Sequence, residues 1–143
     1  MTDTVALTDF PFRAYDKLRY CDTDRQGHVN NAVFATFLET GRTEILHDPS
    51  RALVEPGCAF VIARVALDYR AEVNWPGDVH IGTRIAKVGR SSITIEQGLF
   101  QNERCVATAE TVVVQMDEAT RRSSPMSEAT KAHLLGIVSE PTT

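Results

Sequence analysis

Cysteine is scarce in this chain: among 143 residues only Cys21, Cys58 and Cys105 occur, an odd number at wide spacing. That excludes a disulfide framework and zinc-type cysteine pairs, and it fits a reduced, intracellular protein. Positive charge is not in excess either, since 15 Lys and Arg stand against 19 Asp and Glu for a net charge of −4. A nucleic-acid role therefore lacks its basic field, although a local basic patch can still hold a phosphorylated ligand. No apolar run approaches the about 20 residues that a membrane-spanning helix needs. The amino terminus carries acids, with neither a basic leader nor an apolar stretch behind it. Internal repeats and low-complexity tracts are missing. So are metal-ligand spacings of His, Cys, Asp and Glu, a glycine-rich nucleotide loop and a Gly-x-Ser-x-Gly elbow. The expectation is a cytoplasmic globular protein with no membrane, nucleic-acid, metal or resident-cofactor chemistry.

What is present is ordinary for such a protein: 43% hydrophobic and 24% charged residues. That is enough to bury one core, so residues 1–143 read as a single domain with its core over about 12–138. A strand over about Phe12 to Tyr20 leads into a polar turn and then a helix from about Asn31 to His47. Asn30 is a candidate N-cap, Val33, Phe34, Phe37, Leu38 and Ile45 recur at helical spacing, and Pro49 ends the run. Gly41 inside that helix gives up about 1 kcal/mol against alanine, which implies that something packs closely on its face.

A long alternation follows, with Val61, Ala63, Val65, Leu67, Tyr69, Ala71 and Val73 on one face and Arg64, Asp68, Arg70 and Glu72 opposite, as expected of a strand with one buried face. Asn74–Asp78 is a turn. Three more strands are expected at about Val79–Val88, Ser91–Phe100 and Cys105–Met116, joined through Gly89-Arg90 and Gln101-Asn102-Glu103, and Ser127–Leu135 can begin a short closing helix. One helix against an antiparallel sheet of about five strands is an α+β layer. Such a sheet leaves edges to be covered, which points to a homo-oligomer.

The densest chemistry lies in Tyr20-Cys21-Asp22-Thr23-Asp24-Arg25-Gln26-Gly27-His28-Val29-Asn30-Asn31, directly before the helix. A turn placed there combines a carboxylate at Asp24 with unbonded N–H groups of the first helical turn and the positive end of the helix dipole. Those are parts suited to acyl transfer. Asp24 is equally suited to being a turn acid or helix-start cap. His28 can orient substrate or shuttle a proton, or simply satisfy nearby backbone groups.

From Thr23 to Phe34, with Phe37-Leu38-Glu39 and Arg42 beyond, the chain resembles the hotdog-fold acyl-CoA thioesterases of the 4-hydroxybenzoyl-CoA thioesterase-like family. Asp68–Val73 before Trp75-Pro76-Gly77-Asp78 resembles that family's third element, and Val88-Gly89-Arg90-Ser91-Ser92 resembles its cofactor-side hairpin. The resemblance implies one long helix wrapped by a curved antiparallel sheet. It also implies protomers joined through a continuous sheet with sites at their interface, hence a homodimer or homotetramer. The implied substrate is an acyl-CoA, hydrolysed to a carboxylic acid and free coenzyme A. Asp24 takes the place of the catalytic carboxylate, as nucleophile or general base, and the Asn31 main-chain N–H that of the donor to the thioester oxygen. Arg90 and Ser91 match the hairpin that would hold coenzyme A phosphates; the plain alternative is a solvated turn. Phe34 and Phe37 can line an acyl tunnel or be core. Glu39 reads as the partner of Arg42 in a surface pair rather than as a reagent. A hotdog module that binds acyl thioesters without turnover, and a hotdog hydratase or dehydratase, are the competing functions.

Overall fold

Four consecutive antiparallel strands occupy the chain after residue 57, and the helix that precedes them lies across their inner face. The computed structural model describes residues 5–139, with side-chain surroundings through residue 136. Residues 1–4, part of the acidic amino terminus, and residues 140–143 lie outside the described residues. In chain order the elements are β1 Phe12–Lys17, α1 Val33–Leu46, β2 Cys58–Tyr69, β3 Asp78–Val88, β4 Ser92–Gln101, β5 Arg104–Asp117 and α2 Glu128–Ser139. The strands form one antiparallel sheet in the order β1-β3-β4-β5-β2. Bulges in the β2–β5, β3–β4 and β4–β5 pairings bend it around the helix.

The apolar stripe of α1 is buried in two clusters. Toward its amino end, Phe34, Phe37 and Leu38 meet Val29, Val73, Val79, Ile81, Leu99 and Val106. Toward its carboxyl end, Ile45 and Leu46 meet Ile85, Ile93, Ile95, Val113 and Leu134 of α2. Between them Gly41 lets the helix touch the sheet. A Cβ placed there would stand 2.6 Å from Ile81 Cγ2 and 2.8 Å from both Gln97 Nε2 and Thr83 Oγ1. The close approach expected from Gly41 is therefore with β3 and β4.

A buried polar knot surrounds this contact. Gln97 Nε2 donates to the Leu38 carbonyl at 2.9 Å and to Thr83 Oγ1 at 3.0 Å, while Arg42 donates to Gln97 Oε1 at 3.4 Å. Arg42 is buried, and desolvation pushes its guanidinium below its ordinary value, with the field of Glu39 working against this. The expected Glu39–Arg42 surface pair is thus replaced: Arg42 turns inward to Gln97 while Glu39 stays in solvent.

Several boundaries differ from the pattern. β1 ends at Lys17, and Tyr20–Asp22 form a 3₁₀ turn because the Asp22 carboxylate accepts from the Arg19 main chain at 2.9 Å and from its guanidinium at 3.0 Å. α1 starts at Val33 rather than Asn31, after a tight opening turn. The β4–β5 connection contracts to Asn102 and Glu103, both at positive φ (52° and 66°), the conformation of a two-residue hairpin turn. α2 runs for 12 residues, and α1, at 14, is of moderate length.

The largest correction concerns β2. It ends at Tyr69, and a bulge leaves Ala63 without a register partner between Ile62↔Val113 and Arg64↔Val112. Because one extra residue exchanges the faces, Val65, Leu67 and Tyr69 share the core face with buried Thr111, Ala109 and Ala107, whereas Val61 sits opposite half-buried Val114 on the outer face. No residue of β2 is buried, and Ile62, Val65 and Tyr69 are 51%, 45% and 50% exposed. This is a sheet edge with apolar side chains left open. Cys21, Cys58 and Cys105 are free thiols, and among the described residues no helix is long and apolar enough to cross a membrane.

Gly41→Ala tests how α1 seats. The substitution adds about 1 kcal/mol of helix propensity but overpacks a contact of a kind that typically loses about 1 to 3 kcal/mol. A lower urea midpoint with unchanged slope is expected. A midpoint at or above wild type would show that α1 does not rest on Ile81 and Thr83.

Candidate active site

The segment between β1 and α1 folds back on itself as a miniature hairpin. Thr23 bridges Val29, the Asp24 N–H donates to the His28 carbonyl at 2.7 Å, and the Gly27 N–H returns to the Asp24 carbonyl at 3.1 Å. Gly27 has φ of 82°, and no atom lies within 4 Å of a Cβ placed there, so glycine is required by conformation rather than by space. Asp24 Oδ1 accepts from the Gln26 N–H at 2.8 Å and the His28 N–H at 3.2 Å. The turn-acid role is therefore real, and it uses one oxygen. Oδ2 makes no hydrogen bond among the described residues, and the side chain is exposed. Two anchors hold the hairpin: the Asn30 N–H donates to the Asp22 carbonyl, and the Val29 N–H to the Val73 carbonyl, each at 2.8 Å.

The opening turn of α1 distributes its N–H groups unevenly. Asn30 Oδ1 accepts from the Ala32 N–H at 2.9 Å, closing a turn ahead of the helix, but the N-cap of α1 is Ala32, which makes no side-chain capping bond, so the expected Asn30 N-cap lies two residues too early. Val33 donates to the Asn30 carbonyl at 2.9 Å, and Phe34 and Ala35 donate to the carbonyls of Asn31 and Ala32 at 3.3 Å each. The Asn31 N–H has no acceptor among the described residues. It lies in the exposed first turn, where the helix dipole favours negative charge.

His28 faces a partner that spacing did not suggest. Its Nε2 lies 3.2 Å from Glu72 Oε2, just beyond the end of β2, and its main chain bridges Asn74. Tyr69 also joins the site: its hydroxyl donates to the Asn31 carbonyl at 2.9 Å, and its ring meets Phe34 edge-on with centroids 5.0 Å apart. Asp22, Tyr69 and Glu72 were missed as site residues. Only Asp22 carried a signal, as an acid three residues after the start of a turn. Tyr69 and Glu72 reach the helix start through pairing between distant segments.

Phe34 and Phe37 are buried among core residues. Arg90 and Ser91 do not meet Asp24 within one chain. Their hairpin is tied to Met126 and Gln115, since the Met126 N–H donates to the Arg90 carbonyl at 3.0 Å and the Gln115 N–H to the Ser91 carbonyl at 2.8 Å. Met126 belongs to the cluster at the carboxyl end of α1, whereas Val29 and Val73 belong to the one at its amino end. At about 1.5 Å per residue, the helix from Phe37 to Leu46 sets the two clusters about 14 Å apart. The Arg90 side chain, which makes no hydrogen bond or ion pair among the described residues, flanks a cleft of about 440 Å³ with Lys131 and Leu135 of α2. Asp24, His28 and Asn31 do not line the clefts beside α1, β3 or α2 formed by the described residues. Among the described residues no three His, Cys, Asp or Glu side chains gather as metal ligands.

Residues 18–134 match the family model of the thioesterase-like superfamily. The chain is 31% identical over 115 residues to the acyl-CoA thioester hydrolase YbgC of Escherichia coli, covering 78% of this chain and 83% of that one. It is 31% identical over 112 residues to the acyl-CoA thioesterase YbgC of Haemophilus influenzae, with coverages of 76% and 79%. Among solved structures, a thioesterase of Thermus thermophilus complexed with coenzyme A and zinc superposes with a TM-score of 0.79 at 31% identity, over 92% of this chain and 98% of that one.

Proposed function

The chain belongs to the thioesterase-like superfamily, and from that premise we propose that it is an acyl-CoA thioesterase of hotdog fold, converting an acyl-CoA and water to a carboxylic acid and coenzyme A. The observation that carries this reading is the pairing of a half-engaged carboxylate with an unengaged amide. Asp24 keeps Oδ2 open while Oδ1 holds the turn, and the Asn31 N–H stands without an acceptor at the positive end of α1.

Hydrolysis of a thioester needs an attacking oxygen and a place for the oxyanion; the thiolate leaves readily without much acid assistance. Asp24 meets the first need, either by attacking the carbonyl carbon to form an acyl–aspartyl anhydride that water then opens to the acid, or by taking a proton from the water that attacks directly. Asn31 meets the second: its N–H receives the charge that gathers on the former carbonyl oxygen, and one such donor is commonly worth about 3 to 4 kcal/mol in the transition state. As the C–S bond breaks, the coenzyme departs as thiolate. His28, held by Glu72, borders the same turn and orients substrate or carries a proton.

The coenzyme side of the site comes from a second copy of the chain. β2 is the longer exposed edge of the sheet and opens apolar side chains to solvent, so pairing β2 with β2 across a two-fold axis would cover both. The same assembly would give the Asp24 turn its missing wall and would supply Arg90 and Ser91 from the partner's hairpin for the coenzyme phosphates. Homodimers, alone or joined into tetramers, are the expected form, and Phe34 and Phe37 would then lie behind the acyl group.

Asp24→Asn separates chemistry from turn structure, because an amide keeps an oxygen to accept from Gln26 and His28 but supplies no anion. A fall in kcat of at least about a hundredfold is expected, with melting temperature and thioester binding near wild type. Turnover near wild type, in protein whose mass excludes deamidation, would remove Asp24 from the mechanism. Light scattering at micromolar concentration should give a dimer or larger. An active monomer would rule out the shared site.

A further inference from the structure

The peptide group between Asn31 and Ala32 is held at both of its polar ends. Its N–H, on Ala32, donates to Asn30 Oδ1 at 2.9 Å; its carbonyl, on Asn31, accepts from the Tyr69 hydroxyl at 2.9 Å and, at the longer distance of 3.3 Å, from the Phe34 N–H. Asn30 belongs to the segment before α1, whereas Tyr69 is the last residue of β2, 38 residues beyond Asn31. Tyr69 is itself well anchored. Its main chain pairs with Ala107, the next two N–H groups, of Arg70 and Ala71, both donate to the Val106 carbonyl at 2.9 and 3.1 Å, and its ring rests edge-on against Phe34.

The Asn31 N–H belongs to the peptide before it, whose carbonyl, on Asn30, accepts from the Val33 N–H at 2.9 Å; with the Asn31–Ala32 plane fixed on one side and the Asn30 N–H fixed to Asp22 on the other, its orientation is set from both flanks. We propose that Tyr69 is a positioning residue for the thioester-oxygen donor: its hydroxyl locks the Asn31–Ala32 peptide so that the Asn31 N–H points away from the helix and stays free. The proposal rests on the thioesterase reading above and on the role of Asn31 within it. It also gives the exposed end of β2 a function beyond pairing, because the strand edge and the oxyanion donor are joined by one hydrogen bond. Substrate need not touch Tyr69 for this to matter. An oxyanion donor acts only where it is aimed, and misplacement by about 1 Å can lower rates about a hundredfold.

Tyr69→Phe removes the hydroxyl and keeps the ring on Phe34. In the full-length protein the expected result is a fall in kcat of about tenfold with KM changed less than about twofold, affinity for an unreactive S-alkyl coenzyme A thioether unchanged, and hydrogen exchange at the Ala32 amide faster by about tenfold. Asn30→Ala loosens the same peptide from its other end, so the double variant should lose less kcat than the product of the two single losses. Unchanged kcat in Tyr69→Phe overturns the proposal. So does a parallel loss of turnover, thioether binding and thermal stability, which would make Tyr69 a structural residue. Failure of the underlying reading has a separate signature: wild-type protein would release no thiol from acyl-CoA, while exchange at Ala32 would still report whether the hydroxyl holds the peptide.

Discussion

Backbone N–H groups at the start of a helix must find acceptors or face solvent, and the way this chain resolves that demand determines its site. Ala32, Val33, Phe34 and Ala35 each donate to an oxygen of Asn30, Asn31 or Ala32, which tightens the opening of α1 into a 3₁₀ turn. Among the described residues of this opening turn, only the Asn31 N–H is passed over. The neighbouring hairpin is organised by the same kind of bond, since Asp24 Oδ1 holds two N–H groups and the Asp22 carbonyl holds a third, from Asn30. An anion at Asp24 and an amide at Asn31 are thus left available within one turn segment, each supported by groups that are otherwise satisfied. The arrangement is preorganised, as the oxyanion role proposed for Asn31 requires.

The rest of the fold keeps that turn in place. Gly41 lets α1 descend onto β3 and β4, and Gln97 ties the helix to the sheet by bonding the Leu38 carbonyl and Thr83 from beneath. Buried polar groups with this many partners resist sliding, because a shift leaves several donors or acceptors unmet at once. Val73 then reaches past the end of β2 to hold Val29. Sheet, helix and turn share one set of contacts.

Much of this was legible in the residues. Strand and helix types came from periodicity, and the close contact at Gly41 from a glycine with no local reason to be in a helix. What stayed hidden depended on long-range geometry. The alternation from Val61 to Val73 reads as one uninterrupted face, but a bulge at Ala63 reverses it, and a bulge leaves no mark in an alternating run of small and branched residues. Arg42 reads as a surface charge three residues from Glu39, yet it turns toward Gln97 of β4, a partner 55 residues away. Tyr69 and Glu72 meet the turn only because β2 ends beside it. For Arg90 and Ser91 the limit is of another kind: the proposed site needs two copies, and one chain leaves their hairpin at the other end of α1 from the Asp24 turn.

The central claim is chemical, and thiol release tests it most directly. Purified full-length protein, mixed with a panel of short, long and aromatic acyl-CoAs and a thiol-reactive dye, should liberate free coenzyme A catalytically from at least one of them, with one carboxylic acid formed per thiol. Saturable binding of those acyl-CoAs with no thiol release from any would contradict the account and identify the protein as an acyl-thioester-binding module.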